Sequence, residues 1–81
     1  MLENKVLVNI YIVSLDEKME MFLPVNEKVG NISKLLNTTL FDSIDFEKNN
    51  SILNVDTGVV YNNNDLIKKT DIRNGTNLML V

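Results

Sequence analysis

Residues 29–40, "VGNISKLLNTTL", decide how this chain is read. Val29, Ile32, Leu35, Leu36 and Leu40 recur at intervals of three and four, which sets them on one stripe of a helix from about Val29 to about Leu40. Gly30, Asn31 and the "NTT" run at 37–39 are poor helix formers, so the segment depends on packing against something apolar. On either side the apolar period changes to two, and the partner is therefore expected to be a sheet.

Upstream, Val6, Val8, Ile10 and Ile12 alternate with Leu7, Asn9 and Tyr11, the pattern of a strand with the first set inward. "SLDEK" (14–18) gathers turn formers, and "MEMFL" (19–23) resumes the alternation, with Met19, Met21 and Leu23 on one face and Glu20 and Phe22 on the other. Pro24 lacks a donor and closes this second strand, so the N-terminal quarter is predicted to be a hairpin.

Downstream, residues 41–51 form a polar connection whose Phe41, Ile44 and Phe46 are expected to pin it to the core. "ILNV" (52–55) and "VVY" (59–61) are predicted as a second hairpin around Asp56, Thr57 and Gly58. Leu66 and Ile72 are expected to be buried anchors of a long wrapped loop. "RNG" (73–75) makes the last turn, and a final strand follows with Leu78 and Leu80 inward and Asn77, Met79 and Val81 outward. The expected order is ββαββ, a loop, then β, in a single domain over 1–81.

Composition narrows the function classes. A chain of 81 residues, 44% hydrophobic, can bury roughly 60% of its unfolded surface, enough for one modest core. It contains no cysteine and no histidine, so thiolate zinc sites, Ser-His and Cys-His nucleophile arrangements and the commonest general base are all ruled out. The acidic pairs Asp16 with Glu17 and Asp42 with Asp45 fall in expected turns, not in a converging pocket, so no catalytic residues are assigned. Asp65 alone among Asn62, Asn63 and Asn64 does not make a calcium loop, and we expect neither metal nor cofactor. The net charge is -3 with scattered lysines, which argues against nucleic acid. The apolar run at 5–15 is interrupted by Asn9 and lacks a cleavage site, so it reads as a strand rather than a signal peptide, and no run reaches membrane-spanning length. We expect a cytoplasmic protein with no direct membrane insertion.

The element order, with the last strand inserted beside the first, resembles the ubiquitin-like β-grasp, an α+β fold with a mixed sheet and one helix across it. "LPVNEKVGNISKLL" (23–36) resembles the segment from strand two into the helix, and "DLIKKTDIRNGTNLMLV" (65–81) resembles the closing leucine, loop, isoleucine, turn and strand. Within that superfamily the likeness is to YukD and EsaB type proteins of Gram-positive type VII secretion clusters: "LP" after strand two, "DLI" in the loop and "I-x-x-G" at the turn. The resemblance implies a non-catalytic accessory acting by protein–protein binding. No diglycine occurs in the chain, and Gly75 precedes the last strand, so no conjugation is expected.

Tyr11, Phe22, Met79 and Val81 are out of phase with the core set and are expected to form one apolar patch on the solvent face of the sheet, the candidate partner-binding surface. Lys68, Lys69 and Arg73 form an alternative, a basic spot for an acidic partner. A regulatory or self-associating module unrelated to secretion, including a homodimer, is the competing reading.

Overall fold

The computed structural model describes residues 4–41 and 50–81. Four strands form one mixed sheet: β1 (Lys5–Ile12), β2 (Glu17–Pro24), β3 (Ile52–Asn54) and β4 (Asn77–Leu80), in the spatial order β2-β1-β4-β3. One helix, α1 (Val29–Phe41), lies between β2 and β3 in sequence. β4 runs parallel to β1 and antiparallel to β3, so the last strand is inserted at the centre of the sheet. This is the ubiquitin-like β-grasp arrangement.

The core forms where the two periodicities meet. Val8, Ile10 and Ile12 from β1, Leu23 from β2, Leu78 and Leu80 from β4 and Ile52 from β3 are buried against Val29, Ile32 and Leu36 of α1. The buried arc of the helix differs from the expected one at three positions. Leu35 is 54% exposed, whereas Ser33 and Asn37 are buried. At 100° per residue the arc runs through Ile32, Leu36, Val29, Leu40, Ser33 and Asn37, and Leu35 lies on its far side. The two polar residues enter the core because their side chains bond back along the helix: Ser33 Oγ donates to the Gly30 carbonyl (2.9 Å) and Asn37 Nδ2 to the Ser33 carbonyl (2.8 Å).

The β1–β2 connection is a short 3-10 turn, Val13–Leu15, closed by Asp16 in the left-handed region (φ 50). The second hairpin is smaller than expected. Residues 59–61 do not form a strand; they hold β3 through one bridge, Leu53 to Val60, and through bonds from the Asn54 and Tyr61 amides to the Val59 and Ile52 carbonyls. In the long loop the buried anchors are Ile67 and Ile72, while Leu66 is only half-buried and bridges Lys28. The expected plugs Ile44 and Phe46, the Phe41 side chain and the Asp42 and Asp45 pair lie outside the described residues. No helix among the described residues is long and apolar enough to cross a membrane.

Candidate functional site

Strand register sorts the outer face of the sheet into rows. Leu7 stands opposite Phe22; next come Glu20, Asn9 and Asn77; then Lys18, Tyr11, Met79 and Leu53. The four residues expected to make one patch do share this face, but not one cluster. Tyr11 and Met79 are direct neighbours, with Leu53 beyond Met79. Phe22, 49% exposed, lies across the polar middle row, and Val81 lies past the end of β4, bonded through its backbone to Ser51.

That middle row is tied together. Asn9 Nδ2 donates to Asn77 Oδ1 (3.1 Å), and Asn77 Nδ2 reaches Asp56 Oδ2 at 3.5 Å. Two hollows result. The larger, about 810 Å³, is lined by Tyr11, Val55 and Met79 with Lys18, Glu20 and Asn77 around them. The smaller, about 270 Å³, lies at Leu7, Phe22, Asn74 and Gly75. Val55 joins the apolar lining although sequence reading assigned it only to a strand; its position follows from the turn that ends β3.

Tyr11 does more than line the groove. Its hydroxyl donates to the Asp16 carboxylate, and this bond, with the nearby negative charge, raises its pKa above the ordinary 10.0. Asp16 is the left-handed residue of the β1–β2 turn, so Tyr11 also steadies that turn.

The basic residues are arranged differently from a converging spot. Lys68 and Lys69 are exposed on a 3-10 turn, Ile67–Lys69. Arg73 Nη1 donates to the carbonyls of Thr70 and Ile72, both at 2.8 Å, which commits part of its guanidinium to the loop itself.

The asparagine run at 62–64 has a structural task. The Val29 and Gly30 amides, at the open start of α1, donate to the Asp65 and Asn63 carbonyls, both at 2.9 Å. Asn62 Oδ1 accepts from the Asn64 amide, a local turn that shapes this cap. Among the described residues no group of three acidic, histidine or cysteine side chains is placed to hold a metal ion.

A polar cluster around the buried Tyr61 and Asn54 joins the β3 turn to the exposed Asp71 of the long loop, and sequence reading missed it. Tyr61 donates to Asp71 Oδ1 (2.6 Å) and accepts from Asn54 Nδ2 (3.1 Å), while Asn54 Oδ1 takes the Asp56 and Thr57 amides. Burial, and then the bond to Asp71, push the Tyr61 pKa up to about 12. An Asn two residues before "DTG" is the available signal, since asparagine caps such turns with its own carbonyl. No protein-family model and no curated protein matches this chain.

Proposed function

We propose that this chain is a non-catalytic ubiquitin-like accessory protein that docks the outer face of its sheet on a protein partner, without covalent attachment. The observation that carries this reading is the apolar groove at Tyr11, Val55 and Met79, rimmed by Lys18, Glu20 and Asn77. A pocket floor of large flexible and aromatic side chains inside a polar rim is the form that binding anchors take. Phe22 in the neighbouring hollow supplies a second anchor, and Val81 extends the face beyond Met79. The resemblance to YukD and EsaB type proteins suggests that the partner is a component of a type VII secretion system in the cytoplasm of a Gram-positive cell.

Affinity capture of the tagged full chain from its own cells, followed by mass spectrometry, tests this. Recovery of a type VII component by the wild type and its loss with Met79→Asp and Val55→Asp is the expected result. A partner retained by those variants but lost with Lys68→Glu and Lys69→Glu, and weakened steeply by salt, would move the site to the basic loop.

A further inference from the structure

The two edges of the sheet are finished differently. The β3 edge is three residues long and is covered by residues 59–61. The β2 edge is eight residues long, and among the described residues no other segment pairs with it.

The direction of each β2 backbone group follows from its pairing. In an antiparallel ladder, opposed residues alternate between pairs that exchange both hydrogen bonds and pairs that exchange none. The Val25 amide bonds to the Asn4 carbonyl (2.9 Å), one step beyond the Pro24 to Lys5 pair. Leu23, Met21, Met19 and Glu17 are therefore the bonded partners of β1, and Lys18, Glu20 and Phe22 turn their N–H and C=O groups away from it. The other side of β1 agrees: the amides of Leu7 and Asn9 and the carbonyl of Leu7 bond to residues 74–76 instead.

Devices that keep such an edge single are confined to its ends and its outer face. The one-to-one register has no bulge, Glu17, opposite Ile12, is the one charge of the inward row and sits exposed at its start, and the inward Met19 and Met21 are only partly buried. Pro24 blocks one end alone. We infer that β2 pairs antiparallel with β2 of a second copy of this chain, joining two sheets into one.

Charge selects the register. The outward backbone groups must face each other, which leaves three two-fold alignments near the strand centre. One sets Glu20 against Glu20 of the second copy, a like-charge contact. Another sets Lys18 against Pro24, which has no amide to give. The third sets Lys18 against Glu20 in both directions and brings Met19 beside Met19 of the second copy at the axis, with opposite charges paired on one face and methionines covered on the other. A single strand pair falls below the ~1,200 Å² of standard interfaces, so the dimer forms in the micromolar to millimolar range.

Sedimentation velocity of the full chain over a concentration series tests this, with amide hydrogen exchange beside it. The expected result is a monomer–dimer equilibrium in which the Lys18 and Glu20 amides gain protection with concentration, while those of Met19 and Met21 are protected throughout and that of Phe22, which falls beyond the paired stretch, changes little. Lys18→Glu and Glu20→Lys each weaken dimerisation about tenfold or more, and the two together restore it. A monomer at every concentration up to ~1 mM overturns the inference. So does a dimer insensitive to these charges or weakened instead by Met79→Asp, which would put the contact on the outer face; failure of rescue in the double variant does the same for the assigned register.

Discussion

Tyr61 shows how one side chain can couple chain segments that have little else in common. Its ring is in the core, and its hydroxyl lies between Asn54, which shapes the β3 turn, and Asp71 in the long loop. The folded pKa of about 12 stands above the ordinary 10.0, so the neutral phenol is what the fold stabilises. The contribution is fully present below pH 10 and is lost as pH rises from 10 to 12, because there the unfolded chain releases a proton that the folded one retains. Tyr61→Phe should cost about 1 kcal/mol at pH 7 by removing the bond to Asp71 and leaving the buried Asn54 amide without its Tyr61 partner. Urea unfolding of both proteins at pH 8 and above pH 11 should show the gap between them narrowing; a constant gap would detach Tyr61 from the pH dependence. Tyr11 calls for a different control. Because its hydroxyl holds Asp16, Tyr11→Phe separates turn stability from binding, which Tyr11→Ala does not.

At the level of elements, the helix was legible from spacing and the loop that starts it was not. Val29, Ile32 and Leu36 are buried as their spacing requires, and Leu36→Ala should destabilise by roughly 2 to 5 kcal/mol in chemical denaturation, since a buried leucine leaves a cavity when truncated. Hydrophobic spacing alone sets Leu35 on the stripe, but polar residues that bond to their own helix, Ser33 and Asn37, take the place of leucine inside it. The loop at 62–65 is polar and has no period, so nothing local reveals that its carbonyls cap α1. That contact makes a prediction against propensity. Gly30→Ala should gain up to ~1 kcal/mol as a helix substitution. A Cβ at Gly30, however, would lie 2.9 Å from the Asn63 carbonyl oxygen and 3.0 Å from Asn63 Cβ, so the cap must move. Overpacking of this kind costs about 1 to 3 kcal/mol, and the net effect should be destabilising. A Tm equal to or above that of the wild type would show that the loop yields freely.

The whole molecule is where sequence patterning reached furthest on the fold and least far on the surface. Alternation told which face of β1, β2 and β4 is inward, and the switch of period told where the helix lies; together these specify the β-grasp. Alternation carries no information on register, however, and register decides which outward residues are neighbours. Tyr11 with Met79, and Phe22 with Leu7, are distances along the sheet that only the pairing of Ile10 with Met19 and Leu78 fixes. Phe22 and Lys18, which sits in the Tyr11 row, are four residues apart on one strand, roughly 13 Å at strand spacing. The bonded Asn9–Asn77 row fills the space between, so the two hollows share no apolar side chain. The hollows have only the polar Asn9 and Glu20 in common, and substitutions that far apart are expected to add. For a partner that covers the face, Met79→Ala and Phe22→Ala should each weaken binding by about tenfold and the double variant by about a hundredfold, with a coupling energy near zero in titration calorimetry. A large coupling would mean that one group of the partner contacts both sites, which a polar row between them does not allow; no effect of Phe22→Ala would confine the interface to the groove at Tyr11, Val55 and Met79.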